Sequence, residues 1–346
     1  MEKEKISSEL RFDVVSKDWV IIASGRSKRP QGFKLKKRKK LASAKKDCPF
    51  CNIETQKEPT LIYREGKEMP LDEGIPKDWT TIVIPNKYPA VSPDSDLGEE
   101  MEGKLYKKMK SVGYHELVIT RDHEKQIALF NISQIKELLD AYQNRYFSLV
   151  KKEFVNYVSI FHNHGAEAGA SLSHPHSQII TTPLIDSDLI RALDNAQSYY
   201  KKNKRCVYCD MNKWEMKVRK RIVFENKEFL VVCPFASKSA FQMIISPKKH
   251  LSNFERITEK EKWSLAEAFK AAFSALYYLL GDPPYNFYLH SAPCNEGRFD
   301  YYHWHWTILP KTGTWAGFEI GTRMEISVIE PEKSTDMLRK KIKLEE

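Results

Sequence analysis

The sequence predicts an α+β fold built twice over, each half an antiparallel sheet with helices packed on it. Three observations carry this. Short apolar runs alternate with period two between prolines and glycines. Two long segments repeat apolar residues at helical spacing. And one ordered set of residues, Cys-x-x-Cys then His then His-x-His, occurs in the first half and again in the second.

Taken in order, LRFDVV and WVIIAS alternate around Ser16-Lys17-Asp18, a hairpin signal. Cys48-Pro49-Phe50-Cys51 comes next, then a strand in WTTIVIPNKYP (79–89) and another in HELVIT (115–120) leading to His123. Ser133 is the expected N-cap of a helix whose apolar face holds Ile135, Leu138, Leu139, Tyr142, Tyr146 and Leu149. VNYVSIFHNHG is a strand, and after a glycine-containing loop His174-Pro175-His176 opens a further one.

The second half repeats the plan. Cys206-Val207-Tyr208-Cys209 precedes strands at 229–237 and 241–250, the latter ending in His250. A helix starts at Thr258, with Glu261 completing a capping box, and runs through Trp263, Ala266, Phe269, Phe273 and Leu276. YNFYLHSAP (285–293) is a strand, and His303-Trp304-His305 starts the last. His174 follows His123 by 51 residues and His303 follows His250 by 53, so the chain reads as an internal duplication with domains at 1–195 and 196–346.

At 346 residues the chain has room for two domains. It has no apolar run near the ~18 residues of a membrane span, and its charged start lacks a secretory apolar region; the expectation is a cytoplasmic protein. A net charge of +10 suits an anionic ligand. Part of the charge lies in Lys34–Lys46, KLKKRKKLASAKK. With no aromatic residue interleaved to stack on bases, the run reads as a solvated loop. A zinc-containing nucleic-acid-binding protein is the alternative of a different class.

Zinc takes four thiolate or imidazole ligands in a tetrahedron. Cys48, Cys51, His123 and His174 supply one set; Cys206, Cys209, His250 and His303 supply the other. Four protein ligands leave no position for a reacting water, so two structural Zn2+ sites per chain are expected. On a strand of period two His176 shares its face with His174, and Gln178 shares it again. A neutral imidazole attacks phosphorus without first losing a proton, and the Gln178 amide can donate to a phosphoryl oxygen. The loop from Asn163-His164-Gly165 to Gly169-Ala170-Ser171 offers small residues and backbone donors to a phosphate.

The segment Phe161-His162-Asn163-His164-Gly165-Ala166, Gly169-Ala170-Ser171 and His174-Pro175-His176-Ser177-Gln178 resembles the active-site segment of galactose-1-phosphate uridylyltransferases, a branch of the histidine-triad superfamily. The resemblance extends to Trp19-Val20-Ile21-Ile22, to Pro85-Asn86-Lys87-Tyr88-Pro89-Ala90 and to Ala316-Gly317-Phe318-Glu319-Ile320-Gly321-Thr322. It implies two histidine-triad-like domains, a homodimer, and ping-pong nucleotidyl transfer with His176 as nucleophile and Gln178 as its phosphate partner. It implies Arg26 and Arg29 on phosphates, Asn86, Tyr88 and Asn163 about the nucleoside and phosphates, and Lys311 and Glu319 near the sugar, reaching across a dimer. The partners would be a nucleotide sugar, UDP-hexose or ADP-glucose, and a sugar 1-phosphate or phosphate. UMP transfer to galactose 1-phosphate is the leading expectation, AMP transfer as in ADP-glucose phosphorylase the alternative, and dinucleotide hydrolysis a third. Ser177, where better-known uridylyltransferases carry glycine, and both Cys-x-x-Cys pairs point toward the ADP-glucose phosphorylase branch. Arg323 and Glu325 depart from the usual tail. In the second half Thr307 stands where Gln178 stands in the first, so only the first half is expected to be catalytic.

Overall fold

The computed structural model describes residues 8–25, 44–294 and 297–345. Arg26, Arg29 and most of the basic run lie outside them. The first half holds β1 (Ser8–Phe12), β2 (Trp19–Ala23), β3 (Leu61–Arg64), β4 (Lys67–Glu68), β5 (Thr81–Pro85), β6 (Glu100–Glu102), β7 (Tyr106–Lys108), β8 (His115–Thr120), α1 (Ile132–Leu149), β9 (Tyr157–His164) and β10 (His176–Thr182). Helices α2 (Ser187–Asn203) and α3 (Val207–Val218) follow. Then come β11 (Ile222–Glu225), β12 (Phe229–Val232), β13 (Met243–Pro247), α4 (Glu259–Leu280), β14 (Tyr285–His290), β15 (His305–Pro310), α5 (Gly317–Thr322), β16 (Ile326–Ser327) and α6 (Pro331–Arg339).

Eleven strands form one sheet in the order β11-β12-β13-β15-β14-β9-β10-β8-β5-β3-β4. Apart from the short β4, this order is a palindrome. The first half contributes β3-β5-β8-β10-β9, the second contributes β11-β12-β13-β15-β14, and the antiparallel pair β9·β14 joins them at the centre. Each strand matches its counterpart in sequence order, so the duplication legible in the spacing is a duplication of topology. β1 and β2 pair as the expected hairpin, extended by β16 parallel to β2.

Helices α1 and α4 pack on one face of the sheet and against each other. A single apolar core there draws on both halves, from Val83, Val118, Leu139 and Tyr142 to Phe269, Phe287 and Trp306. All six residues predicted for the apolar face of α1 are buried. Its N-cap is Asn131, not Ser133: the Asn131 side chain accepts from the Gln134 backbone N–H and the Gln134 side chain reaches back to Asn131. Ser133 loses because a capping box needs its Glu or Gln three residues on. The Thr258–Glu261 box of α4 is present. Trp263 on that helix is exposed, with Lys136 over its ring; the other four apolar positions expected there are buried.

The rows of the sheet fix where the two His-x-His segments lie. Ser177, His162, Phe287 and Ile308 share one row across β10, β9, β14 and β15. Because β10 and β15 run in opposite directions, His176 lies one residue from that row toward one end and His305 three residues from it toward the other. Strand spacings separate them by roughly 20 Å.

Candidate active site

Strand β10 begins at His176, so His174 stands just before it rather than on it. What ties the two is a hydrogen bond: the His176 Nδ1–H donates to the His174 carbonyl, 2.9 Å away. That contact puts the ring's proton on Nδ1 and leaves the Nε2 lone pair as the reactive one. Burial holds the His176 pKa below the usual imidazole value. Gln178, two residues along, is on the same face by strand alternation. Ser177 points the other way, into the core, where its hydroxyl meets Tyr142 on α1 and His162 Nδ1. The Ser177 departure from glycine is thus answered on the helix side of the sheet and not beside the nucleophile.

The loop after β9 closes over the same end. Gly165 and Gly169 have φ of 83° and 87°, the region glycine alone enters freely. A Cβ on Gly165 would sit 2.7 Å from Pro284 Cβ. Between the loop and the sheet, Asn286 of β14 donates to Asn163 Oδ1 and to the Ala168 carbonyl, both at 2.8 Å. With its oxygen taken, Asn163 has its amide N–H groups left to donate. Ser171 is exposed at the loop's end.

Asn86 follows β5, and its Oδ1 accepts the Tyr88 backbone N–H at 2.9 Å; the Tyr88 ring is 83% exposed. Lys311 and Glu319 make their contacts elsewhere. Lys311 lies over the Trp315 ring, and Glu319 closes the first turn of α5 by accepting from Ala316 N–H. Around them Trp315, Phe318 and Ile320 are exposed. Arg323 pairs with Asp188 at 3.7 Å, and buried Glu325 faces Lys238 at 3.6 Å.

Both expected ligand sets come together. In each, the four ligand atoms lie within 4.8 Å of one another. Cys48 Sγ is 3.5 Å from His174 Nδ1, and Cys51 Sγ is 3.2 Å from His123 Nδ1 and 3.6 Å from His174 Nδ1. Cys209 Sγ is 3.3 Å from His250 Nδ1 and 3.4 Å from His303 Nδ1. A tetrahedral ion with the usual Zn–S and Zn–N bonds has S···N edges of about 3.5 Å, so these groups could hold such an ion. The outer nitrogens are in order too. His174 Nε2 donates to the Thr120 carbonyl at 2.6 Å and His303 Nε2 to the Pro247 carbonyl at 2.8 Å, which turns each Nδ1 lone pair to the cluster. Cys206 is the N-cap of α3; hydrogen bonds from Cys209, His250 and His303 pull its thiol down toward the thiolate a metal requires. In the first cluster burial and the neighbouring Cys48 push Cys51 up to about 11.

The second half keeps the imidazole but not its surroundings. The His305 Nδ1–H donates to the His303 carbonyl at 3.1 Å, as in the first half. Its ring stacks on His290 at 4.8 Å and meets Tyr208 at 5.5 Å. It faces a cavity of 820 Å³ whose lining includes Asp18, Asp186, Lys238 and Thr307. The Lys238 ammonium there is paired with Asp18 at 3.1 Å.

Some features escaped the sequence. Helices α2 and α3 were not expected; α2 has Asp186 as a capping residue, a signal that was there to read. Asn286 gave no signal, since its partner lies 123 residues away. Phe50 reads only as a spacer between cysteines, yet its ring packs edge-on against His176 at 5.0 Å and His174 at 5.7 Å.

The family model described as galactose-1-phosphate uridyl transferase, N-terminal domain, matches residues 1–185, and one described as a domain of unknown function matches 107–345. The chain is 31% identical to ADP-glucose phosphorylase of Arabidopsis thaliana, over 97% of this chain and 93% of that protein. It is 28% identical to galactose-1-phosphate uridylyltransferase of Thermotoga maritima, over 96% and 98%. The crystal structure of the Arabidopsis thaliana ADP-glucose phosphorylase with bound ADP-glucose superposes with a TM-score of 0.80 at 29% identity, covering 96% of this chain and 99% of that one. Among the described residues no helix is long and apolar enough to cross a membrane. The chain belongs to the galactose-1-phosphate uridylyltransferase family and is an enzyme of nucleotidyl transfer.

Proposed function

We propose that this enzyme moves a nucleoside monophosphate from a nucleoside diphosphate glucose to an acceptor phosphate by way of a nucleotidyl-His176 intermediate. The observation that carries it is the hydrogen bond from His176 Nδ1–H to the His174 carbonyl, which leaves Nε2 unprotonated beside Gln178. In the first step the Nε2 lone pair attacks the α-phosphorus. The bond from that phosphorus to the bridging oxygen breaks, and glucose 1-phosphate leaves. Charge gathers on the non-bridging oxygens, where amide N–H groups of Gln178 and Asn163 and the Ser171 backbone N–H would meet it, those of Gly169 and Ala170 being bonded within the loop to the Ala166 and Gly165 carbonyls. In the second step an acceptor phosphate oxygen attacks, the P–N bond breaks, and its electron pair returns to Nε2. Arg26 and Arg29 are assigned to phosphate binding, and Asn86 and Tyr88 to the nucleoside.

The base we assign is adenine and the acceptor inorganic phosphate, supported by likeness to ADP-glucose phosphorylase over nearly the full chain. Uridylyl transfer to a hexose 1-phosphate is the second reading, supported by the Thermotoga maritima relative. Lys311 and Glu319 would meet the sugar of a second copy, with Trp315, Phe318 and Ile320 as the apolar surface of that homodimer. Zinc is the ion we assign to both Cys₂His₂ groups, in a structural role. The test is incubation with ADP-glucose or UDP-glucose labelled in the α-phosphate, followed by denaturing electrophoresis. Label from ADP-glucose that phosphate discharges as ADP is the expected result. Label from UDP-glucose alone reverses the base, and label from neither overturns the reading.

A further inference from the structure

Gln178 can serve a phosphoryl group only by one end of its amide. The NH₂ end donates, whereas the carbonyl end would set a partial negative charge against another. The two ends hardly differ in shape, so something must choose between them. The structure supplies that choice in His115, a residue of neither metal cluster nor the His174–Gln178 segment.

His115 opens β8 and is 9% exposed. Gln178 pairs with Leu117 across the ladder, and His115, two residues before Leu117, is its diagonal neighbour on the same face. The Ala90 backbone N–H points at His115 Nδ1 from 3.1 Å. A backbone N–H can only donate, so Nδ1 is the acceptor and the ring's one proton sits on Nε2. His115 Nε2 lies 2.9 Å from Gln178 Oε1. The N–H therefore donates to the amide oxygen, and the amide nitrogen is turned away from His115, with no hydrogen-bond partner among the described residues. The Asn86 amide packs against the same ring, 3.1 Å from Nε2 and 3.5 Å from Nδ1, and is itself held by the Tyr88 backbone N–H. The backbone at Ala90 thus sets the tautomer of His115, and His115 sets the direction of Gln178.

We infer that His115 is a positioning residue for nucleotidyl transfer, which locks the Gln178 amide with its N–H groups toward the phosphoryl group. It touches no reacting atom and acts only through Gln178. The inference rests on the roles proposed for His176 and Gln178.

A double-mutant cycle tests it, read as the single-turnover rate of label transfer from α-phosphate-labelled ADP-glucose to the protein, beside steady-state kcat and KM. Gln178→Ala is expected to slow transfer about 10²- to 10³-fold, the usual effect of losing one oxyanion donor. His115→Ala is expected to slow it about 10- to 100-fold, as for a misplaced catalytic group, with KM for ADP-glucose held within about twofold of wild type. In the Gln178→Ala background, His115→Ala should change the rate no further. His115→Gln, whose amide N–H can reach where Nε2–H was, should recover part of the loss, which separates positioning from a folding defect. Equal losses from His115→Ala in both backgrounds, or a change in KM alone, overturn the inference while leaving the proposed function standing. A Gln178→Ala enzyme that labels at the wild-type rate overturns the role of Gln178 itself, and that of His115 with it.

Discussion

Replacing His176 with alanine is expected to abolish nucleotidyl transfer, with a loss on the order of 10⁴- to 10⁶-fold, the scale seen when a covalent nucleophile is removed. The donor should still bind, because the phosphate and nucleoside contacts assigned above come from Gln178, Asn163, Asn86, Tyr88 and the N-terminal arginines. Calorimetric titration of the variant with ADP-glucose measures that binding directly. His176→Gly with added imidazole should regain some turnover, since the cavity left by the ring admits the missing nucleophile. Labelling of the wild type should saturate near one nucleotidyl group per chain, and His305→Ala should leave it intact. The ring at 305 shares the tautomer of His176, but Thr307 replaces Gln178, and acids and aromatic rings line its cavity in place of a glycine loop. Wild-type turnover in His176→Ala, or comparable label on His305, would falsify the assignment.

The second large effect is on stability. Cys48→Ser should lose one metal ion per chain, falling from about two to about one by elemental analysis. Small metal-folded units gain ~10 kcal/mol or more from their zinc. Here the cluster staples a loop onto an existing sheet, so a few kcal/mol is the expected loss, a fall in melting midpoint of roughly 5 °C for a chain of this length. Phe50, between the two cysteines, touches His176. Transfer should therefore decline as the loop loosens on warming, while the cold, folded variant still takes up label. A Cys48→Ser protein with both ions and an unchanged melting curve would sink the ligand assignment.

Which parts were legible in the sequence follows from the range of the interactions that fix them. Strands β5, β8, β9, β10, β12 to β15, helices α1 and α4 and the eight metal-type residues were all legible, because alternation, helical spacing and Cys-x-x-Cys are local patterns. The palindromic strand order was legible only as a repeat of spacings, since no local pattern says that β9 pairs with β14. Helix α3 was hidden by its first residues, where Cys206 caps the helix and is also a presumptive ligand. Asn286 and His115 were illegible as site residues. Each acts by fixing which way another side chain's amide points, and that information lies in a hydrogen bond across the sheet, not in any run of residues.

The pairing of β9 with β14 bears on what would happen if the chain were divided. Cut between the halves, each fragment would carry a raw strand edge, β9 on one and β14 on the other, and would bare its share of the core shared by α1 and α4. Such edges invite pairing with any strand they meet. The boundary expected at 195/196 falls inside α2, so the cut belongs between α2 and α3, and fragments 1–204 and 205–346 made separately are expected to aggregate. Made together they should find each other, because each edge is the other's complement, and copurify as a one-to-one complex that takes up label at His176. The ancestor of such a gene need not have been a monomer: an unfused half closing β9 against β9 of an identical chain would already have been a continuous-sheet dimer, and fusion would have freed one copy to lose its chemistry while still completing the other's sheet.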